Sequence, residues 1–173
     1  GFDAPAADYL WLQTTQYYGA YRRGEHDLRY FDGLVGAVTA LDPRFVEAYH
    51  FYSLVLCMDE QAYARAVDVL KRGILANPGS WQLHFDVGFV NYVFLRNDLV
   101  AAEYFATAAE LPGATDFCRR FAAFARKRGG DLEGSLLLWE NLRETTESQD
   151  MRDLADEMIE KCRRRLGAEG SRS

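Results

Sequence analysis

Apolar residues recur along this chain every three to four positions, in stretches of eleven to eighteen residues, and such spacing makes one face of a helix. Between the stretches stand Gly24, Asp42-Pro43, Asp59, Asn77-Pro78, Arg96, Pro112-Gly113 and Gly129-Gly130-Asp131. Proline excludes the helical conformation for the residue before it, and glycine frees the backbone to turn. The pattern predicts helices over 8–22 and 26–41, 44–58 and 60–76, 79–95 and 97–110, and 114–128 and 131–145. A last helix over 149–166 carries an apolar stripe of Met151, Leu154, Ala155, Met158, Ile159 and Cys162. Asp8, Ser80 and Asn97 are the expected N-caps. Asp3 and Pro5 suit an irregular lead-in, and 167–173 reads as a polar, frayed tail. No stretch alternates with the period of a strand.

The helices pair because the sequence repeats. Adding 35 to Tyr49, Tyr52, Ser53, Ala66, Leu70 and Gly73 gives His84, Val87, Gly88, Ala101, Phe105 and Ala108, and Pro43 and Pro78 stand the same distance apart. A fixed period in the thirties, with small residues and aromatics at set phases, is the mark of stacked helical hairpins. Small Ser53 and Gly88 fall where the two helices of a hairpin cross. The fourth unit keeps a step of 34, mapping Ala101, Phe105 and Ala108 onto Ser135, Trp139 and Leu142. The extra residue of the longer units is expected in the turns at Asp59 and Arg96.

Gly88, Ala101-x3-Phe105-x2-Ala108 and Leu111-Pro112, with Ala66-x3-Leu70-x2-Gly73 and Asn77-Pro78 before them, resemble the tetratricopeptide repeat. The resemblance implies an all-α, right-handed α-solenoid of about four hairpins (8–41, 44–76, 79–110, 114–145) with a C-terminal capping helix, in one domain over 1–166. It also implies a non-catalytic protein–protein interaction scaffold. In that family the first helix of each hairpin lines a concave groove. Carried onto this chain, the groove positions are Glu47, His50, Leu54 and Cys57 in the second unit and Gln82, Phe85, Phe89 and Tyr92 in the third. In the fourth they are Asp116, Arg119, Ala123 and Arg126, and in the first, more loosely, Leu12, Thr15, Gly19 and Arg22.

The expected partner-binding residues are therefore His50, Leu54, Gln82, Phe85, Phe89, Tyr92, Arg119 and Arg126. An aromatic floor with arginines at one end suits a peptide or partner subunit with apolar anchors. Leu83, Val87, Val90 and Phe94 can pack their helix, so Phe85, Phe89 and Tyr92 are expected as an accessible patch continuous with His50 and Leu54. The alternative is that the chain's own terminal helix covers them.

Ala7-Asp8-Tyr9-Leu10-Trp11-Leu12, Tyr17-Tyr18-Gly19, Leu41-Asp42-Pro43-Arg44-Phe45 and Leu111-Pro112-Gly113-Ala114 are similar to segments of bacterial repeat proteins with an N-terminal membrane anchor and no assigned role. This implies an extracytoplasmic, membrane-tethered placement in a membrane-associated assembly, with a cytoplasmic one second. The first residue is Gly1, not Met; the expectation is an anchor or leader ahead of it, or a cloning remnant at Gly1.

Charge narrows the partners. Residues 1–112 hold 8 Lys+Arg against 14 Asp+Glu, and 113–173 hold 12 of each, for a formal net charge of −6. Phosphate backbones require a basic face, so nucleic acid is not expected. Two basic runs, Arg126-Lys127-Arg128 and Lys161-Cys162-Arg163-Arg164-Arg165, fall at helix C-termini, where the helix dipole favours cations. Docking on anionic lipid or an acidic protein is the other reading of them.

Chemistry is thin. Cys57, Cys118 and Cys162 are widely spaced without CxxC and read as small buried hydrophobes. Glu47-x-x-His50 puts two ligand types on one helical face, and with Cys57 it forms the alternative reading, a metal-binding or redox protein. Cys57 lies ten residues, about 15 Å of helix rise, from Glu47, which is too far for one coordination shell. No cofactor is expected, since no nucleotide, protease, hydrolase or haem motif occurs.

Overall fold

The computed structural model describes residues 3–170, and the side chains of residues 3–168. All its regular structure is helical: α1 (Asp3–Arg22), α2 (Phe31–Leu41), α3 (Val46–Met58), α4 (Tyr63–Ala76), α5 (Trp81–Val90), α6 (Asp98–Glu110), α7 (Asp116–Arg128), α8 (Leu132–Thr145) and α9 (Gln149–Gly170). Among the described residues there is no strand. The helices fall into two compact units, Gly1–Pro78 and Gly79–Ser173, where the sequence led to the expectation of one domain.

The helices differ from the sequence reading mainly at their ends. α1 begins at Asp3, so Asp3 and Pro5 are helical and Asp8 is no cap. Proline is tolerated in a first turn, where its missing N–H would have no partner anyway, and Asp3 meets the helix dipole favourably. α2 starts at Phe31 instead of 26 because local bonds hold 26–30 in a turn. The Tyr17 hydroxyl donates to the Asp27 carbonyl at 2.6 Å, and the Asp27 carboxylate accepts from the Arg29 N–H at 3.0 Å. Ser80 caps α5 through Leu83 N–H. Asn97 makes no cap bond; Asp131, unforeseen in that role, caps α8 through Gly134 N–H at 2.8 Å. α9 runs on to Gly170 through part of the expected tail, and 171–173 lie outside the described residues.

The turns inside the hairpins account for the two step lengths. After α1 and α7 the chain closes with a glycine in the left-handed region, Gly24 (φ 78°) and Gly130 (φ 89°). Glu25 N–H then bonds Ala20 C=O and Asp131 N–H bonds Arg126 C=O, each with a second bond nested inside it from the N–H of the preceding glycine (Gly24 to Tyr21 C=O, Gly130 to Lys127 C=O). That is the Schellman arrangement. After α3 and α5 the loop is one residue wider. Ala62 N–H reaches Leu56 C=O at 2.8 Å, and Asn97 N–H reaches Asn91 C=O at 3.0 Å. The left-handed residues there are Gln61 (φ 53°) and Arg96 (φ 58°). The wider loop turns Asn91–Leu95 into a π-helical turn at the end of α5, held by buried Asn91, whose side-chain amide donates to Val87 C=O. Asn91 C=O, Arg96 and Asn97 N–H of the third repeat lie 35 residues after Leu56 C=O, Gln61 and Ala62 N–H of the second, while the π-helical turn and the Asn91 amide bond belong to the third alone.

In the first unit, Phe31, Val35 and Val38 of α2 are buried, as are Tyr49, Tyr52, Val55 and Leu56 of α3 and Val69 and Leu70 of α4. Trp11 packs on Phe45 and Phe51, and Tyr18 on Phe31 and Phe51. Charged pairs hold the helices in register. Tyr18 and Arg22 of α1 both bind the Asp59 carboxylate. Tyr52 donates to Asp32 at 2.5 Å, and Arg65 binds Asp32 at 2.6 Å.

The second unit has two apolar clusters. One joins Ala101, Ala102 and Phe105 of α6 to Ala122 and Ala125 of α7, with Phe85, Phe89, Tyr92 and Phe121 packed against it. The other joins Ala123, Trp139 and Leu142 to Ala155, Met158, Ile159 and Cys162 of α9. α9 thus packs on α8 and on Ala123 of α7, and the hydrophobic residues packed on the first cluster come from α5 to α8 and the π-helical turn.

Candidate binding surface

Gln82, Phe85 and Phe89 on α5, and Tyr92 in the π-helical turn, follow one another at helical spacing, and a second aromatic row faces them from α7. Phe85 lies 5.2 Å from Phe117 and 5.5 Å from Phe121 between ring centroids, and 5.0 Å from Phe105 below. Phe89 follows at 6.3 Å from Phe85, and Tyr92 stands 6.0 Å from Phe121. Phe85, Phe89 and Tyr92 are half-buried, and Phe117 is 40% exposed. The result is a shelf of aromatic rings between α5 and α7, with its outer faces open.

Phe85 is therefore also a packing residue. The sequence reading treated its ring as surplus to folding; the structure gives it three aromatic neighbours from α6 and α7. Phe85→Ser should lower the melting temperature clearly, since truncating a large buried ring costs on the order of 3 kcal/mol and Phe85 is half-buried. An unchanged melting curve would place the ring outside the core.

Arg120 lies across the shelf. Its guanidinium carbon is 4.7 Å from the Phe117 ring centre and 5.7 Å from that of Phe121, and its Nε is buried with no hydrogen-bond partner. Stacked guanidinium on aromatic faces is favourable by about 1 kcal/mol, but here it leaves the Nε–H donor unsatisfied. Further along, Arg128 sits 3.4 Å over the centre of Tyr92 and pairs with Asp98 through its Nε at 2.8 Å. That hydrogen bond raises the guanidinium pKa above its ordinary value.

Arg119 and Arg126 are not on this shelf. Arg119 pairs with Asp116 and lines a cleft with Ala106, Ala109, Ala122, Leu138 and Asn141, on the side of α7 that meets α6 and α8. Arg126 pairs with Asp131 at 2.6 Å, holding that carboxyl below its usual range, mainly by this bond and then by the bond from Gly134 N–H. Ala123 is fully buried in the α9 cluster. The shelf side of α7 carries Phe117, Arg120 and Phe121 instead, a displacement of one residue, or about 100° of helix, while Phe124 packs on Trp139 and the α9 cluster. The reason lies in packing: α7 lies against α6 on one side and α8 and α9 on another, and Ala122, Ala123 and Ala125 fill those close contacts. Phenylalanines three and four residues apart were the available signal.

In the second hairpin, which lies in the compact unit Gly1–Pro78, His50 and Leu54 are exposed on α3, and Glu47 with them. The fourth exposed position of that face is Met58, 59% exposed, while Cys57 is buried and its thiol is pushed up to about 11 by burial. A protonated, buried thiol and two exposed side chains at the far end of the helix do not form a metal-binding or redox group. Among the described residues no three His, Cys, Asp or Glu side chains come together as metal ligands. Cys118 and Cys162 are likewise buried free thiols. No helix of the described residues is long and apolar enough to cross a membrane.

No family model matches the chain, and no curated protein matches it. Among solved structures, the crystal structure of MamA, a tetratricopeptide-repeat-like protein, is similar to this one at a TM-score of 0.53 and 16% sequence identity, covering 88% of this chain and 95% of that chain. At that identity the likeness speaks for the fold alone, and the fold it shows is the all-α, tetratricopeptide-like solenoid class.

Proposed function

We propose that this protein is a non-catalytic interaction scaffold that binds a peptide or subunit of another protein through apolar anchors on the shelf between α5 and α7. The observation that carries the reading is Phe117. A large ring 40% open to solvent continues a row of rings whose inner members are already packed, beside an Arg120 whose buried Nε has no hydrogen-bond partner. Large apolar groups left open next to unsatisfied polar ones mark interaction surfaces, and aromatic and arginine side chains dominate binding energy at such surfaces. Gln82, Phe85, Phe89 and Tyr92 belong to this surface. His50 and Leu54 offer a second exposed face on α3, and Arg119 and Arg126 act as structural pairs. The extracytoplasmic, membrane-associated placement rests on the segment resemblances alone.

The test is selection of displayed peptides on the purified chain. Binders should carry one or two bulky apolar residues, and Phe117→Ser and Phe89→Ser should each weaken them about tenfold or more. The melting temperature should move less for Phe117→Ser than for Phe85→Ser. Binders indifferent to both shelf variants would move the binding surface elsewhere.

A further inference from the structure

The two basic runs of the sequence, 126–128 and 161–165, are each short and separated by more than thirty residues. The fold brings one end of each to the same place. Lys127 and Arg128 from the end of α7 and Arg165 from α9 line a pocket of about 440 Å³ whose other walls are Tyr92, Phe124 and Gly130. Helix-dipole compensation explains a cation at one helix end, but not cations of two helices converging on an aromatic-walled hollow. Arg128 is already neutralised by Asp98. The Lys127 ammonium has no side-chain partner among the described residues.

The pocket continues the aromatic shelf. Phe117, Phe121, Phe124 and Arg128 lie at steps of four, three and four along α7, a single stripe that is apolar at its start and basic at its end. On the facing side, Phe85 and Phe89 lead to Tyr92, whose ring carries Arg128. We propose that this pocket takes the carboxylates of an acidic peptide segment, so that the partner is a protein segment with apolar anchors followed or preceded by Glu or Asp side chains. The methylene stem of such a side chain lies between Tyr92 and Phe124, and its carboxylate meets Lys127 and Arg165. The basic basin opens directly onto Tyr92 and the row of rings assigned above to a peptide's apolar anchors, so an acidic side chain of the same peptide reaches it, which a separate lipid surface does not require. The proposal rests on the reading of the shelf as the binding surface and adds the charge and direction of the ligand.

The experiment measures fluorescence anisotropy of a short labelled peptide rich in Glu and Phe, its Gln-for-Glu counterpart, and phosphatidylserine vesicles, each against the full chain. The Glu peptide should bind about tenfold or more tightly than the Gln peptide, with affinity falling as salt rises. Lys127→Glu and Arg165→Glu should each remove that difference, while Lys71→Glu, an exposed position of α4, should leave it intact. Equal affinity for the two peptides, insensitivity to both variants, or capture of vesicles without the Glu peptide would overturn the proposal. If the Gln peptide binds as well as the Glu peptide and Phe117→Ser still abolishes binding, the shelf stands and the acidic-ligand inference alone falls. Circular dichroism of each variant checks the fold, and Lys127→Gln provides a milder substitution with the same expected direction.

Discussion

Gly88 is held by the ring of Phe105: a methyl group at Gly88 would come within 2.7 Å of Cδ1 and 2.8 Å of Cε1. Phe105 is fully buried and cannot swing away. Alanine gains about 1 kcal/mol over glycine in helix propensity, while overpacking a tight core costs about 1–3 kcal/mol, so the clash should win. Gly88→Ala is expected to lower stability in urea unfolding, and a variant more stable than the parent would refute the contact. A second residue, Tyr52, links packing to pH. Burial first, and then its hydrogen bond to Asp32, push its hydroxyl from 10.0 up to about 12. A proton held more tightly in the folded chain supports folding fully below pH 10, and that support is lost as pH rises towards 12. The stabilities of the parent and Tyr52→Phe should therefore converge between pH 10 and 12. Parallel curves across that window would mean that the hydroxyl is not perturbed.

At the scale of elements, the turns after α3 and α5 set non-glycine residues in the left-handed region that the turns after α1 and α7 give to glycine. A side chain there costs about 1–2 kcal/mol, and glycine gives back part of this through unfolded-state entropy. Gln61→Gly and Arg96→Gly should each raise stability by up to about 1 kcal/mol, read as a shift in the thermal midpoint. Gly130→Ala should act in the opposite sense. If all three variants are neutral, the wide turn relaxes in solution and the repeat does not depend on it.

For the whole molecule, the division into Gly1–Pro78 and Gly79–Ser173 has a consequence for folding. The two described clusters around Phe105 and Trp139 are built from residues of that unit, while buried Leu83, Val87 and Val90 of α5 belong to neither. In repeat architectures each element leans on its near neighbours, so a segment with its own closed clusters can fold alone. Residues 79–173 produced by themselves should be helical and melt in one cooperative transition by circular dichroism. A non-cooperative melt would show that the second unit needs the first.

How much was legible in the sequence follows from the range of the forces involved. Hairpin count, helix order, the crossing at Gly88 and the burial of the three cysteines depend on periodicity and residue size, which a sequence displays directly. The extra residue at Asp59 and Arg96 was visible as a step of 35 against 34, though not its form, since the π-helical turn and the left-handed Arg96 arise only when Asn97 N–H closes on Asn91 C=O. The binding shelf was half legible. Phe85, Phe89 and Tyr92 share a face by spacing alone. Whether Phe85 is free, and which side of α7 meets it, was decided by the space left between α6, α8 and α9, where only alanines fit. Likewise the sequence contained two basic runs, each read there as lying at a helix end, though α9 runs on to Gly170 and only the run 126–128 ends its helix. Only tertiary packing, which seats α9 on α7 and α8, put Lys127 and Arg165 around one hollow.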